Sequence, residues 1–460
     1  MNKKKGIVYF IGAGPGDVDL ITVKGQKVLK QADTIIYDYL VNKEILKNTR
    51  EGCELICVND IIKGNKNRQE MINKVLIKKS NEGKKIVRLK NGDPFIFGHA
   101  NEEMEALTKE KIEYRIIPGI TAGIAAGCYT GIPLTSRDCS SNVVFITGHQ
   151  SGKRKLKWKH IANIETIVIY MGAENLIEII TKLVKNGLKL KVPVAIIINT
   201  TKINQKTIIT TAKEILEKKV KINSPAIIII GKVVIKEKKF NWLKRSKKVL
   251  FTGLSEERYF ENEIYYHNPY IMIEPLDDYL KLDKEIKRIN KYKWIVFASR
   301  YGVYYFFDRL FKNNYDARKL QNIKIAAIGS STANKLKEYG IIADLIPVKE
   351  NSDGLVNELK NKIKNKKILL LRSDIADKGL KEKLKRYKAK VKTIITYKNK
   401  IPDEFQEIDL NIFNSIMFTS PSTVRNFLKI HKKVPENIEI RYIGAVTSNE
   451  AKKLGLFKEK

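Results

Sequence analysis

Cysteine is scarce in this chain. Cys53, Cys57, Cys128 and Cys139 are the only four in 460 residues, and no two of them form a Cys-x-x-Cys pair. Zinc sites and disulfide frameworks need cysteines at short, repeated spacings, so neither is expected and the pattern fits a reducing cytoplasm. Cys53 and Cys57 read as core thiols. Long apolar runs are missing too: no stretch approaches the roughly 18 residues that a membrane span requires. The basic start Met1–Lys5 and the apolar run to Ile11 imitate a secretory leader, but the run stops at Gly12 and acids follow at Asp17 and Asp19. A soluble cytoplasmic protein is expected, with no export and no membrane partner. Negative charge is also in short supply, since 50 acids face 87 lysines and arginines, a net of +37. That excess raises the question of a polyanionic partner. The lysines are spread along the chain among many isoleucines and asparagines, as an AT-rich genome produces without selection for binding. With no recognition motif and no concentrated basic tail, nucleic acid is not expected as a partner.

What is present begins with Val8-Tyr-Phe-Ile-Gly-Ala-Gly-Pro-Gly-Asp17. An apolar β-type run breaking into three glycines and a proline puts bare backbone at the carboxyl end of a strand, where α/β sheets bind ligands. The loop lacks the last glycine of a dinucleotide fingerprint and the Gly-Lys-Ser/Thr of a Walker loop. Taken alone, a tight βα turn explains it equally well.

A chain of this length exceeds the about 250–300 residues at which single cores stop growing, so more than one domain is expected. Hydrophobic residues at 43% suffice for globular cores. Apolar runs at 7–11, 34–37, 86–89, 143–147, 166–171, 194–198 and 226–230 alternate with helix-period segments, the punctuation of βαβ units. The charged stretch Lys236–Lys248 lacks periodicity and reads as a linker. Beyond it lies an internal repeat. Lys247-Lys-Val-Leu-Phe251 recurs as Lys366-Lys-Ile-Leu-Leu370, and Val296-Phe-Ala-Ser299 with Val303 recurs as Met417-Phe-Thr-Ser420 with Val424. Ile328-Gly329 with Thr332 and Asn334 recurs as Ile443-Gly444 with Thr447 and Asn449. Two similar α/β lobes are expected from it.

Downstream of the glycine loop come Val87-Arg-Leu-Lys-Asn-Gly-Asp-Pro-Phe-Ile-Phe-Gly98, Ile117-Pro-Gly-Ile-Thr-Ala122, Gly131-Ile-Pro-Leu-Thr135, Thr147-Gly-His149, Ile169-Tyr-Met-Gly172 and Pro193-Val-Ala195. In this order they resemble the tetrapyrrole methylases, and among them most the uroporphyrinogen-III C-methyltransferases, over residues 6 to about 243. The resemblance implies a two-lobed α/β domain, 1–240, with the site in its cleft and the chain crossing near Pro118-Gly119. It implies S-adenosyl-L-methionine as cosubstrate, a tetrapyrrole substrate, and a homodimer through this domain. The substrate of such enzymes is a polycarboxylate, so a positive field would raise its encounter rate. Cosubstrate contact is implied for Pro15, Asn91, Gly92, Asp93, Ile96, Thr121, Ala122, Met171 and Ala195. Without the neighbouring motifs, Met171 reads as a core residue at a strand end and Asp93 as a turn aspartate. Asp38 aligns with the general base, or else orients the macrocycle by accepting pyrrole N–H bonds. Four positions depart from the family pattern. Asn91 stands for a glycine, Tyr39 and His99 for arginines, and Asp60 for the lysine assigned as proton donor, a role open to electrostatic substitution by Lys63 or Arg68.

The repeat, with Ser352-Asp-Gly-Leu355, Leu371-Arg372 and Thr396-Tyr397, resembles uroporphyrinogen-III synthase over about residues 247–458. This implies a second two-lobed α/β domain, 247–460, with about 248–274 and 400–460 in one lobe and 275–399 in the other. No metal or organic cofactor is implied. Tyr397 is the implied general acid, while Thr332, Ser420, Ser422 and Thr447 present hydroxyls and loop amides to carboxylates. Thr332 and Thr447 could instead be ordinary helix caps. Together the resemblances imply a bifunctional enzyme that closes hydroxymethylbilane to uroporphyrinogen III and methylates it twice to precorrin-2, for sirohaem or corrinoid synthesis. Two alternatives stay open: a methylase of another precorrin, and a cosubstrate- or nucleic-acid-binding protein without turnover.

Overall fold

Strands form where β-branched runs can be buried on both faces. The computed structural model describes residues 5–61, 67–149, 156–254, 263–376, 379–402 and 408–456, and divides the chain into two units at Ser246/Lys247. In the first unit, β1 (Ile7–Gly12), β2 (Thr34–Tyr37), β3 (Glu54–Cys57), β4 (Lys85–Lys90) and β5 (Glu113–Ile117) make a sheet of order β3-β2-β4-β1-β5. All its pairings are parallel. Val8, Phe10 and Ile36 point to one core and Ile11, Ile35, Val87 and Leu89 to another, so the central strands are apolar on both faces. The register pairs Gly12 with Lys90, Ile11 with Ile117, and Tyr37 with Leu89. Four strands therefore end side by side, and their following loops share one edge. The edge strands β3 and β5 were not among the expected runs, because Glu54, Glu113 and Arg115 interrupt their apolar pattern.

The helix Ala122–Thr130 carries the chain to a second sheet of β6 (Val143–Thr147), β7 (Thr166–Tyr170), β8 (Pro193–Ile198), β9 (Lys206–Thr211) and β10 (Ala226–Ile230), in the order β6-β7-β10-β8-β9. Only β6 and β7 are parallel, and β10 and β9 run antiparallel to their neighbours. The βαβ reading thus holds for the first sheet and, in the second, only for β6 and β7. No helix separates β8 from β9, and a short connection can only return a strand antiparallel.

The stretch read as a linker is folded. It forms the short helices Glu237–Phe240 and Trp242–Arg245. The Trp242 indole N–H donates to the Cys128 carbonyl at 2.9 Å and its ring lies 5.4 Å from that of Tyr129. Gly131, at φ 68°, lets the chain pass: a Cβ there would lie 2.2 Å from the Phe240 carbonyl oxygen. Phe240 and Trp242 anchor a segment whose charge pattern had hidden them.

In the second unit, β11 (Lys247–Phe251), β12 (Glu263–His267), β13 (Met272–Glu274), β14 (Trp294–Phe297), β15 (Lys324–Ala327), β16 (Lys367–Ser373), β17 (Lys390–Lys400), β18 (Ser415–Phe418) and β19 (Glu439–Tyr442) form two sheets, β12-β11-β18-β19 and β13-β17-β16-β14-β15. The sequence repeat has a structural counterpart. The order β12-β11-β18-β19, all parallel, matches β17-β16-β14-β15, all parallel. The helices Pro421–His431 and Ala445–Lys453 occupy the places of Arg300–Lys312 and Ser330–Lys337. One boundary differs from expectation. Met272–Glu274 pairs antiparallel with Lys398–Lys400, because β17 runs long enough to offer it an edge, so it joins the second sheet.

Candidate active sites of the two units

The shared edge of the first sheet is built by backbone contact. A Cβ on Gly12 would lie 2.5 Å from Gly119 Cα and from the Gly92 carbonyl oxygen, so three loops meet where only glycine fits. Gly14 and Gly92 exchange backbone hydrogen bonds at 3.2 and 2.8 Å. Asp93 ties the arrangement together: one carboxylate oxygen accepts Phe95 N–H at 2.8 Å in its own turn, and the other accepts Gly119 N–H at 2.9 Å. Its turn role is therefore real, and it also positions the loop that leads to Thr121. The Thr121 hydroxyl lies 2.8 Å from the Tyr170 hydroxyl, which also accepts Gly123 N–H. Ile96 and Ala122 pack with Tyr170 and Ala195 in one apolar cluster. Pro15 is buried in the glycine loop. Met171, next after Tyr170, sits at φ 51° and is 51% exposed, so it is no core residue.

Ala195 is different. It is fully buried in the middle of β8 and can act on a ligand only through packing. The part of that strand's end which reaches the glycine loop is the turn 199–205, absent from the expected site. Thr201, a β-branched residue at φ 65°, accepts Asp17 N–H on its hydroxyl at 2.9 Å, and Asn199 is also left-handed at φ 54°. Such backbone strain gathers at ligand sites. Between them, the Thr200 hydroxyl is buried and has no hydrogen-bond partner. The signal for this turn was available in Asn199-Thr-Thr201, polar residues directly after an isoleucine run.

Asp38 follows β2, and its surroundings are the main feature that sequence reasoning missed. Arg88 donates to its carboxylate at 2.5 Å and Asn91 N–H donates to the other oxygen at 3.2 Å. Arg88 also bonds Glu103 at 3.1 Å, and Lys90 bonds the same carboxylate at 2.8 Å. Arg88 and Lys90 are 2% exposed and Glu103 is fully buried. Two cations and two anions thus make a neutral buried network, the condition under which buried charge is tolerated. Burial pushes the Asp38 carboxyl up, but the charges of Arg88 and Lys90 and its hydrogen bonds more than offset this and hold it below the usual carboxylate range. Burial and the Arg88 charge pull Lys90 down. Lowering its pKa makes the carboxylate a weaker proton acceptor while keeping it an anion that can accept N–H bonds. The clue lay in Arg88-Leu-Lys90, charges two apart on one face of a buried strand.

The departing positions lie around this edge. Tyr39 is 65% exposed. Asp60 is exposed in the short helix Val58–Ile61, and Arg68 is exposed at the start of Arg68–Asn81. Lys63 lies outside the described residues. His99, at φ 55°, places a ring nitrogen 3.1 Å from Glu102.

In the second unit Tyr397 is 6% exposed at the carboxyl-terminal end of the β16/β17 pair. Its hydroxyl donates to Ser299 Oγ at 2.9 Å. Burial pushes the Tyr397 phenol pKa up, with the bonds to Ser299 and Ser373 opposing, so the phenol stays protonated. Its ring lies 5.9 Å from Tyr301 and stacks on Tyr305 at 6.1 Å. Ser299 was not among the expected site residues, although the repeat pairs it with Ser420. Ser299 caps the helix Arg300–Lys312 by accepting Gly302 N–H, and Ser420 caps Pro421–His431 by accepting Thr423 N–H. Ser420 also lies 2.9 Å from the buried Ser422. Thr332 and Thr447 are not caps. Gly329 and Gly444 hold the cap positions, and both threonines face inward, 3% exposed, with Thr447 donating to the Ile443 carbonyl. Among the described residues no group of acids, histidines and cysteines could hold a metal ion, and no helix is long and apolar enough to cross a membrane.

Comparison with known proteins gives consistent matches. Residues 7–216 match the family described as Tetrapyrrole (Corrin/Porphyrin) Methylases, and residues 264–459 match Uroporphyrinogen-III synthase HemD. The porphyrin biosynthesis protein HemD of Ruminiclostridium josui is 36% identical over 475 residues, covering 98% of this chain and 94% of that protein. A uroporphyrinogen-III C-methyltransferase of Bacillus subtilis (strain 168) is 45% identical over 248 residues, 53% of this chain and 96% of the relative. Among solved structures, uroporphyrin-III C-methyl transferase from Thermus thermophilus complexed with S-adenyl homocysteine is 29% identical, with a TM-score of 0.45, over 50% of this chain and 99% of that one.

Proposed function

The chain belongs to the tetrapyrrole methylases through its amino-terminal unit and to the uroporphyrinogen-III synthases through its carboxyl-terminal unit, and on that premise we propose that it carries out two consecutive steps of tetrapyrrole biosynthesis. The domain 247–460 closes hydroxymethylbilane to uroporphyrinogen III, and the domain 1–240 methylates that product twice, giving precorrin-2. The observation that carries the reading is the common edge of the first sheet. A floor of bare backbone at Gly12, Gly92 and Gly119 there borders a carboxylate held ionised by Arg88.

Alkyl transfer from a sulfonium needs alignment more than acid–base strength. S-adenosyl-L-methionine supplies the electrophilic methyl group. The residues fit such a ligand: Gly12–Gly16, Asn91–Asp93 and Thr121–Ala122 offer backbone donors and acceptors, Ile96 and Met171 offer apolar surface, and Thr201 joins its turn to the glycine loop through Asp17 N–H. Asn91 serves through its backbone, which explains how it can stand for glycine. Asp38 accepts pyrrole N–H bonds and holds the ring carbon toward the methyl group. In the synthase domain Tyr397 protonates the departing hydroxyl, with Ser299 orienting its O–H, while the ends of the helices after Ser420, Gly329 and Gly444 receive carboxylates. A homodimer through the methylase domain and a cytoplasmic location belong to the same proposal, as does supply to a sirohaem or corrinoid branch. The test is one incubation of the full chain with hydroxymethylbilane, with and without S-adenosylmethionine, analysed for ring isomer and methylation. Type III isomer alone, and its dimethylated derivative when the cosubstrate is present, are expected; type I isomer with no methylation would remove both assignments.

A further inference from the structure

Arg300 is not explained by the packing around it. It is the first residue of the helix Arg300–Lys312, whose first turn contains no acid. A fixed positive charge there opposes the positive end of the helix dipole. The chain's own repeat provides the control. The corresponding helix Pro421–His431 has the same serine cap but carries Pro421 at that position, the residue it favours. Arg300 is half-buried, yet among the described residues no carboxylate pairs with it. The similarly half-buried Arg309, Arg425 and Arg441 pair with Asp283, Glu450 and Glu263. Its guanidinium meets the neighbouring Tyr301: one nitrogen lies 3.1 Å from the Tyr301 hydroxyl, and the guanidinium carbon 5.1 Å from that ring's centre. A sequence that breaks a local rule without a local gain points to a functional use.

The place of Arg300 suggests which use. It follows Ser299, the acceptor of the Tyr397 hydroxyl, and Tyr301 packs against Tyr397. One helical turn on, Tyr304 is 46% exposed. A planar cation that can bind a carboxylate bidentately thus stands beside exposed aromatic surface and the proton donor. We propose that Arg300 binds a side-chain carboxylate of the linear tetrapyrrole and thereby fixes one pyrrole over Tyr301 and Tyr304 beside Tyr397. This rests on the synthase reading of the unit. Arg300 is a substrate-binding residue that governs affinity and ring isomer, whereas Tyr397 governs the rate of closure.

The test uses the full chain and three variants, Arg300→Gln, Arg300→Lys and Tyr397→Phe, with hydroxymethylbilane at low and moderate salt. Arg300→Gln is expected to raise KM about tenfold or more, as loss of a charge-assisted hydrogen bond does. It should also release type I isomer, weaken the salt dependence of KM, and leave the melting temperature of the carboxyl unit unchanged or higher. Arg300→Lys should recover part of the KM, and Tyr397→Phe should leave KM near the parent value. An unchanged KM in Arg300→Gln, or a KM rise matched by a lower melting temperature in both Arg300 variants, overturns the proposal. A parent chain that forms no type III isomer instead removes the synthase reading on which the proposal stands, which is a separate and recognisable failure.

Discussion

The two units put their candidate groups at the same address and fix them by opposite means. Both groups lie at the carboxyl ends of paired parallel strands. In the amino unit the key carboxylate is held by a buried network of full charges, Asp38, Arg88, Glu103 and Lys90. In the carboxyl unit Tyr397 is held by neutral groups, a serine hydroxyl and stacked rings. The contrast follows the chemistry each unit is proposed to perform. Methyl transfer from a cationic donor gains from a charge whose place and ionisation are set in advance. Closure of a flexible bilane depends mainly on conformation, and needs a proton donor that remains protonated.

The contrast breaks most readily at Glu103. Glu103→Gln leaves two buried cations with one anion, and removing one partner of a buried ion pair costs about 3–5 kcal/mol. In a melting experiment that resolves both units, only the amino-unit transition should fall. A shift of equal size in the carboxyl unit would show that the units are not independently stabilised. Asp38→Ala comes next. Loss of a preorganised charge at the reacting centre should lower the methylation rate about 100-fold or more. Calorimetric affinity for S-adenosylhomocysteine should stay at the parent value, and parallel losses of rate and affinity would place Asp38 in the cosubstrate pocket instead.

A smaller effect is expected from Tyr397→Phe. Removing one hydrogen-bonding hydroxyl should slow ring closure roughly tenfold while methylation of added uroporphyrinogen III continues at the parent rate. The smallest effect is on acid stability. Because the folded-state carboxyl of Asp38 is held below its ordinary value, its contribution is present above the unfolded value of about 3.9 and is lost as pH falls through the folded one. The stability difference between the parent and Asp38→Asn should therefore be constant near neutrality and shrink toward pH 3. A difference that grows on acidification would mean that the carboxyl is raised, as a true general base requires.

Much of the architecture could be read from local pattern. The glycine loop, the central strands of the first sheet and the pseudo-repeat of the second unit each depend on residues within a few positions of one another, or on similarity between two short stretches. Edge strands such as Glu54–Cys57 escaped because a charge interrupts their short apolar run. The mixed second sheet escaped because strand direction is decided by which partner an edge meets. The same division runs through the sites. Asp38, Asp93 and Tyr397 were legible from motif context. What holds them was not, since Arg88 reaches Asp38 across 50 residues and Tyr397 reaches Ser299 across 98. The sequence by itself determined which segments become the central strands of the first sheet, where glycines expose bare backbone, and that the second unit is a repeat, because backbone sterics and apolar period act locally. Only the tertiary structure decided that the Asp38 carboxyl is held below its ordinary value, that Ala195 is sealed in the core while Thr200 is left with an orphan hydroxyl, and that no acid among the described residues pairs with Arg300. Charge, burial and hydrogen-bond satisfaction depend on neighbours that folding brings together.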